Sequence, residues 1–204
     1  MRKKGVKAVL FDLDGVLVDS IDAWHHTYNG IIRHFGAKPI PKKEFRKIFG
    51  NTIEKNVKMI INIPAKEANR LAIKHFKKNM NHVDVFPQTK DVLEKILRSK
   101  LKIALITNTP KRILTPVLKH HKLKKYFKVI VTVDDVKKGK PAPDMALKAC
   151  KLLKVKPKNT ILIGDTKNDM LAGKRAGCVT IGYKIKGDYK IDNLREIERF
   201  IYAN

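Results

Sequence analysis

Two aspartates stand two residues apart at the point where a short apolar run ends. Asp12 and Asp14 follow the run 9–11, and Gly15 comes directly after them. Such a run is typical of a buried strand, and side chains two apart on an extended backbone lie on one face. Because open α/β sheets bind ligands at the carboxyl ends of their strands, the stretch predicts a ligand site there. Gly15 lets the chain turn and lets a ligand approach the backbone.

A calcium-binding loop is the first alternative for these carboxylates. Such a loop needs oxygen ligands at its first, third and fifth positions, glycine at the sixth and glutamate at the twelfth. Counted from Asp12, the fifth position is Val16, the glycine comes at the fourth, and the twelfth position is Ala23. The spacing excludes a calcium loop of this kind.

Polar residues also follow the other predicted strands. Apolar runs at 103–106, 129–133 and 161–163 alternate with helical patterns, which predicts right-handed crossovers and a parallel sheet. The polar residues after these runs are, in chain order, Thr107, Asn108, Lys140, Asp165 and Asp169. Since parallel strands end at the same edge of a sheet, we expect these residues to lie near Asp12 and Asp14.

The remaining pattern completes an α/β fold with a Rossmann-like parallel sheet flanked by helices. The segment 141–153 predicts the helix between the third and fourth strands, and the run 179–181 predicts the last strand. A terminal helix is predicted by the spacing of Leu194, Ile197, Phe200 and Ile201.

Residues 18–82 follow a different pattern. Apolar residues recur there at intervals of three and four, in groups bounded by Gly36, Gly50 and Pro64, and no strand pattern interrupts them. We therefore predict an all-helical domain, inserted just after the two aspartates and positioned to cover them. The predicted core domain consists of residues 1–17 and 83–204.

Four stretches of the chain, DLDGVLVDS, LITN, GKPAPD and GDTKND, contain the polar residues described above. In order and in local sequence they resemble the four motifs of the haloacid dehalogenase superfamily, and the resemblance covers nearly the whole chain. Any one of these motifs alone is a weak signal, whereas four in order are specific. The helical insertion after the first motif resembles the mobile cap of the phosphoglycolate phosphatase and beta-phosphoglucomutase branch.

The resemblance implies a phosphoryl-transfer site with a role for each residue. Asp12 would attack phosphorus and carry an aspartyl-phosphate, and Asp14 would act as acid and base. Thr107 would hydrogen-bond a phosphoryl oxygen, with backbone donors nearby at Asn108. Lys140 would supply a fixed positive charge to the phosphoryl group and to Asp12. Phosphoryl transfer needs such an in-line nucleophile, charge compensation and a proton for the leaving group.

A divalent cation is expected because several carboxylates cannot stay ionised side by side without one. Their hard oxygens suit Mg²⁺, which keeps several waters and binds few protein ligands. Asp12 and Asp165 are the predicted direct ligands. The resemblance adds the backbone carbonyl of Asp14 and gives Asp169 either a ligand or a supporting role.

Substrate specificity is expected in the helical insertion, because the core residues address only the phosphoryl group. The segment 47–55 lies between two predicted helices and is the candidate substrate-contacting loop, although an ordinary helix connection explains it equally well. The candidate substrate-binding residues are Asn108, Lys47, Gly50, Asn51 and Thr52.

The chain is strongly basic, with 45 Lys and Arg against 19 Asp and Glu and a formal charge of +26. Such a charge raises the possibility of nucleic-acid binding. The basic excess is spread over the helical insertion and the rest of the chain alike. Short clusters such as Arg2-Lys3-Lys4 occur, but no basic stripe interleaved with aromatics is present. We therefore favour a solvated basic surface over a nucleic-acid interface.

Cysteine usage and hydropathy favour a cytoplasmic location. Cys150 and Cys178 are far apart in sequence and belong to no Cys-x-x-Cys pair, so structural zinc has no support. No apolar run is long enough to span a membrane. The basic start is followed by apolar residues, but Asp12 and Asp14 interrupt them before the apolar region of a signal peptide could form.

The sequence therefore predicts a magnesium-dependent phosphatase for a small phosphorylated metabolite, with phosphoglycolate or a sugar phosphate as the leading substrates. A phosphomutase of the beta-phosphoglucomutase type is an alternative that would retain the phosphoryl group. A phosphonate hydrolase would need a lysine in the insertion, such as Lys47 or Lys55. A nucleic-acid-associated phosphatase or binder would use the positive charge.

Overall fold

A computed structural model describes residues 5–201, so the basic cluster Arg2-Lys3-Lys4 lies outside the described residues. The strands are β1 (Ala8–Phe11), β2 (Val18–Asp19), β3 (Asp84–Val85), β4 (Lys102–Thr107), β5 (Val129–Thr132), β6 (Thr160–Gly164), β7 (Val179–Tyr183) and β8 (Tyr189–Ile191). The helices are α1 (Ile21–His34), α2 (Lys42–Arg46), α3 (Ile53–Ile60), α4 (Ala65–Asn79), α5 (Thr89–Arg98), α6 (Lys111–His120), α7 (Asp144–Leu153), α8 (Lys167–Ala176) and α9 (Glu198–Ile201). Within this part of the chain, every helix is too short or too polar to cross a membrane.

The central sheet has the strand order β5-β4-β1-β6-β7-β8, and each neighbouring pair is parallel. All four residues of β1 are apolar and buried, as expected for a strand covered on both faces. Ala8 and Leu10 pack in the core under α7, whereas Val9 and Phe11 belong to the larger core that extends into the helical insertion. The predicted parallel α/β fold is confirmed, and β1 lies at its centre.

The sequence does not predict the edge strand β8. The run 179–181 is predicted to be the last strand, but β8 follows it and pairs with β7. β8 has only three residues, of which Ile191 is buried and Lys190 is exposed. A pattern this short does not stand out among the charged residues around it.

Two predicted helices have different bounds in the structure. α7 begins at Asp144 rather than at position 141, because Ala142 precedes Pro143 and a residue before proline is disfavoured in the helical conformation. The predicted terminal helix is divided into a 3₁₀ turn at Leu194–Ile197 and the short α9.

The helical insertion, residues 18–82, begins with a strand. β2 pairs antiparallel with β3, and this two-stranded ribbon brings together the two segments that connect the insertion to the sheet. The expectation that 18–82 is entirely helical is therefore wrong at its first two residues, which are too few to show an alternating pattern. The other regular elements of the insertion are helices, with α1 packed along α4 and the centroids of the Trp24 and Phe76 rings 4.6 Å apart between them.

Gly173 provides a test of the packing between α8 and the sheet. A methyl group at this position would meet Cγ2 of Thr180 at 2.6 Å and Leu162 at 3.3 Å. Alanine usually stabilises a helix interior relative to glycine by ~1 kcal/mol. We expect Gly173→Ala instead to lower the free energy of unfolding, measured in urea, by about 1–3 kcal/mol because the site becomes overpacked.

The matched background for this test is Thr180→Ser, which removes the colliding methyl group. In the Thr180→Ser background, Gly173→Ala should lower the free energy of unfolding by less than it does in the wild type. Stabilisation by Gly173→Ala in the wild-type background would contradict the described packing.

Candidate active site

The carboxyl edge of the sheet brings together residues from separate parts of the chain. β1 ends at Phe11, so Asp12 lies in the loop just beyond the strand. Thr107 is the last residue of β4, and Asp165 directly follows β6. The predicted site residues of the sheet edge that line one common cavity are Asp12, Asp14, Thr107, Asn108 and Lys140.

The ammonium group of Lys140 lies between two buried carboxylates. Its Nζ atom is 2.7 Å from Oδ1 of Asp12 and 2.6 Å from Oδ1 of Asp169. It also donates a hydrogen bond of 3.3 Å to the carbonyl of Ile106. Burial lowers the pKa of Lys140, but Asp12 and then Asp169 outweigh this effect and raise the pKa above its ordinary value. The lysine therefore stays charged although its side chain is only 2% exposed.

The Asp12 carboxylate is oriented through one of its oxygens. Oδ1 accepts a hydrogen bond of 2.7 Å from the backbone N–H of Leu13, in addition to its contact with Lys140. Burial raises the pKa of Asp12, the neighbouring Asp169 raises it further, and Lys140 opposes both effects. A second cation beside this carboxylate would favour its ionised form.

A capping box at the start of α8 fixes Asp169. The hydroxyl and backbone N–H of Thr166 donate to Oδ2 of Asp169 at 2.5 and 3.1 Å, and the Asp169 N–H donates back to the Thr166 hydroxyl at 3.4 Å. Oδ1 of Asp169 contacts Lys140. Because both oxygens are engaged, the geometry favours Asp169 as a residue that positions the lysine.

The carboxylates beside Lys140 fit a divalent cation. One oxygen each from Asp12, Asp165 and Asp169 lie within 4.8 Å of one another. Oδ1 of Asp165 is buried and has no hydrogen-bond partner among the residues described, which calls for an ion or water. Burial raises the pKa of Asp165 well above its usual range, and Asp169 and Asp12 add to the effect. These hard, closely spaced oxygens suit Mg²⁺.

Gly15 makes room for this carboxylate group. Its φ is +81°, a conformation that other residues rarely adopt, and a side chain there would overlap the carboxylate of Asp165. The glycine of the first motif is therefore required by both the turn and the close approach.

Three donors that were not predicted from the sequence hold the carboxylate of Asp14. The Ser20 hydroxyl and the Trp24 indole N–H donate to Oδ1 at 2.5 and 3.1 Å, and the Thr109 hydroxyl donates to Oδ2 at 2.7 Å. Ser20 occupies the N-cap position of α1, but its hydroxyl does not cap the helix. The one available signal for Thr109 was its spacing of two residues from Thr107.

Asparagine side chains attach the loop between α2 and α3 to the edge of the sheet. Nδ2 of Asn108 donates to the carbonyls of Gly50 at 2.9 Å and Lys140 at 3.1 Å. Oδ1 of Asn108 accepts the Lys140 backbone N–H at 2.9 Å. Asn168 on α8 donates to Oδ1 of Asn51 at 3.0 Å and to the Gly50 carbonyl at 3.3 Å. Asn108 thus holds the lysine loop and the insertion loop at once.

Two of the predicted loop residues lie outside the cavity. The Lys47 ammonium pairs with Glu44 at 2.6 Å, and its side chain is 63% exposed. The Thr52 hydroxyl accepts the backbone N–H of Lys55 at 3.3 Å and caps α3. Gly50 and Asn51, by contrast, line the cavity.

Side chains of the helical insertion complete the cavity wall. The cavity has a volume of about 30 Å³, enough for very few water molecules. Of these residues, only Gly50 and Asn51 were predicted from the sequence, because apolar side chains at helical spacing indicate a core. The lining residues that the insertion contributes are Trp24, Tyr28, Phe45, Phe49, Gly50, Asn51, Ile53 and Asn56.

A parallel sheet with a buried Asp-Lys-Asp cluster at its edge and a helical insertion after β1 defines a hydrolase of the haloacid dehalogenase type. The chain belongs to the family of haloacid dehalogenase-like hydrolases, which matches residues 9–183. The resemblance noted in the sequence and the assignment as a phosphatase of this family are both confirmed.

Relatives and solved structures support this assignment. The chain is 30% identical over 195 residues to a phosphoglycolate phosphatase of Chromobacterium violaceum, across 90% of this chain and 88% of the relative. It is 31% identical over 183 residues to a phosphorylated carbohydrates phosphatase of Thermotoga maritima, across 84% of this chain and 82% of the relative. A crystal structure of beta-phosphoglucomutase from Clostridium difficile shares the fold, with a TM-score of 0.78, 23% identity, and coverage of 94% and 93% of the two chains.

The raised pKa values of Asp12 and Asp165 predict pH-dependent binding of Mg²⁺. Without metal, the folded protein retains protons on these carboxyls that the unfolded chain releases above about pH 4. Their contribution to the free energy of unfolding therefore falls as the pH rises from about 4 towards the raised pKa values of the folded protein, which is about 8 for Asp12. A cation must displace these protons, so we expect Mg²⁺ to raise the melting temperature more at pH 8 than at pH 5.5.

Calorimetric titration in two buffers of different ionisation enthalpy should also detect proton release on Mg²⁺ binding. Asp165→Asn should reduce both effects, whereas Asp192→Asn, at a side chain that is 69% exposed, should leave them unchanged. A Mg²⁺-induced shift in melting temperature that is equal at the two pH values would contradict the interpretation of the carboxylate cluster.

Proposed function

We propose that the protein is a magnesium-dependent phosphatase that hydrolyses a small phosphorylated metabolite through an aspartyl-phosphate on Asp12. The observation that carries the proposal is the buried contact of Lys140 with Asp12, beside Asp165 and its unpartnered oxygen. Phosphoglycolate and a sugar phosphate are the candidate substrates, since relatives with both kinds of name match most of the chain.

Asp12 is the proposed nucleophile. Its fixed contacts fall on Oδ1, which leaves Oδ2 available to attack phosphorus in line with the leaving oxygen. The bond from Oδ2 to phosphorus forms as the bond from phosphorus to the substrate oxygen breaks. Water then attacks phosphorus and the bond from phosphorus to Asp12 breaks. This step releases inorganic phosphate and regenerates the free carboxylate.

Asp14 is the proposed acid and base. In its protonated form it gives a proton to the departing alkoxide, and it afterwards takes a proton from the attacking water. Ser20, Trp24 and Thr109 hold the carboxyl group in place for both transfers. Two of these donors, Ser20 and Trp24, come from the helical insertion.

Fixed positive charge and hydrogen-bond donors would stabilise the transferring phosphoryl group. Lys140 balances Asp12 before attack and is close enough to compensate the phosphoryl charge during it. Thr107, which accepts the Thr109 backbone N–H at 3.1 Å, keeps its hydroxyl proton for a phosphoryl oxygen. Mg²⁺, when bound by Asp12 and Asp165 with the carbonyl of Asp14, supplies further positive charge to these oxygens.

We also propose that the helical insertion, residues 18–82, acts as a cap domain on the core formed by 1–17 and 83–204. Its side chains form one wall of the cavity, and a cavity of about 30 Å³ must widen to admit a substrate and release phosphate. So small a site favours a small ester over a nucleic-acid end. A cytoplasmic location is proposed on the cysteine usage, with Cys150 and Cys178 unpaired.

Phosphate release from a panel of small phosphate esters tests the proposed function. We expect turnover that requires Mg²⁺, and we expect Asp12→Asn to lower kcat by at least about a thousandfold because the nucleophile is lost. Asp192→Asn is the matched control at the exposed surface and should keep full activity. Metal-independent turnover, or full activity of Asp12→Asn, would overturn the proposal.

A further inference from the structure

The helical insertion presents an uncharged wall to the cavity. Its polar lining side chains are Asn51, Asn56 and Tyr28, and the others are aromatic or aliphatic. The insertion is rich in lysine and arginine, but within the described part of the chain none of these cations lines the cavity. Lys140 is the cation that does, and it is already shared between Asp12 and Asp169.

Negative charge is abundant on the opposite side of the same cavity. Asp12 and Asp14 line it, and Asp165 and Asp169 lie beside Asp12. The phosphoryl group adds more negative charge when it binds. A carboxylate or a second phosphate on the leaving group would therefore be buried against an apolar wall with no cation of its own, which is far costlier than burying a neutral group.

A series of side-chain hydrogen bonds runs from α8 to the wall, and each side chain donates to the next one along it. Asn168 donates to Oδ1 of Asn51 at 3.0 Å, and Nδ2 of Asn51 donates to Oδ1 of Asn56 at 3.1 Å. Nδ2 of Asn56 then donates to the Tyr28 hydroxyl at 3.2 Å. Asn51 and Asn56 each use both the oxygen and the nitrogen of the amide in this series, so the network has a defined orientation.

The series ends on a hydroxyl that is left with a proton to donate. Tyr28 accepts from Asn56, and its own O–H has no acceptor among the residues described. The side chain is 3% exposed, and burial raises its pKa, so the hydroxyl stays protonated. Tyr28 and Asp14 line the same cavity, so the hydroxyl faces the space that also holds the proposed proton donor.

We propose that the substrate is the phosphate monoester of a small, uncharged, hydroxylated alcohol, and that Tyr28 selects it by donating a hydrogen bond to a leaving-group oxygen. This inference rests on the proposed function and deepens it. Of the two candidate substrates, it favours a sugar or polyol phosphate over phosphoglycolate. It also disfavours a bisphosphate, which a phosphomutase of this architecture would have to hold.

Arg46, a cation of the helical insertion, lines a neighbouring cavity. That cavity has a volume of about 280 Å³ and shares only Phe49 with the first, and its other lining residues include Asp19 and Asp165. Arg46 therefore shares the lining of its cavity with two acidic residues. If it nevertheless served a carboxylate substrate, Arg46→Ala would selectively impair hydrolysis of that substrate.

Two matched pairs of esters separate charge from hydrogen bonding. Phosphoglycolate and its neutral amide, glycolamide phosphate, have nearly the same shape and differ in charge. 2-Hydroxyethyl phosphate and ethyl phosphate differ by one hydroxyl group. With saturating Mg²⁺, we expect kcat/KM to be at least about tenfold higher for the amide than for phosphoglycolate, and about tenfold higher for the hydroxyethyl than for the ethyl ester.

The role of Tyr28 is tested by Tyr28→Phe, with Tyr126→Phe as the matched control. The Tyr126 hydroxyl donates to Glu94 at 2.8 Å away from the cavity, so both variants lose one buried phenol contact. Tyr28→Phe should reduce the ratio of kcat/KM between hydroxyethyl and ethyl phosphate to near one. Tyr126→Phe should leave that ratio unchanged.

Each outcome of this panel decides the inference. A preference for phosphoglycolate over its amide, equal rates on the two, selective loss of phosphoglycolate hydrolysis in Arg46→Ala, or an unchanged ratio in Tyr28→Phe would each overturn it while leaving the phosphatase proposal intact. Absence of magnesium-dependent turnover of all four esters would overturn the proposed function and the inference with it.

Discussion

The buried contact of Lys140 with Asp12 and Asp169 is the interaction on which the rest of the site depends. It joins the loop after β1, the loop before α7 and the first turn of α8. Removing one member of a buried charge cluster typically costs about 3–5 kcal/mol, because the remaining charges are left uncompensated. The sheet order places β1 centrally, the capping box fixes Asp169, and Asn108 holds the lysine backbone, so each part of the fold supports this one cation.

The same contacts link the helical insertion to the chemistry. The Gly50 carbonyl accepts hydrogen bonds from Asn108, which also holds Lys140, and from Asn168, one residue before Asp169. Movement of the insertion away from the sheet would break these bonds together with the Trp24 contact to Asp14. The position of the insertion is therefore coupled to the arrangement of the charged residues. When the insertion lies against the sheet, it can exclude water from the site.

The sequence was informative where chemistry and periodicity coincide. Strand ends carrying Asp12, Thr107 and Asp165 could be assembled because parallel strands must end at one edge of the sheet. β2 and β8 were not predictable, because two or three residues are too few to show an alternating pattern. Their strand conformation depends on pairing with β3 and β7. The predicted loop 47–55 ends at Thr52, because α3 begins at Ile53. Within it, no pattern distinguishes Asn51, which lines the cavity, from Lys47, which pairs with Glu44. The network through Asn56 and Tyr28 depends on tertiary contacts between α1 and α3, which sequence spacing does not encode.

The central claim is that the Asp12 carboxylate carries the phosphoryl group during turnover. The most direct measurement is mass spectrometry of peptides from acid-quenched Asp14→Asn protein after exposure to acetyl phosphate and Mg²⁺. The acetate leaving group needs no proton from Asp14, so the intermediate can still form, whereas loss of the base should slow its hydrolysis. The account predicts a phosphoryl group on the peptide containing Asp12, and its disappearance when Asp12 is also replaced by asparagine. A phosphoryl group on another residue, or its persistence in the double variant, would contradict the account.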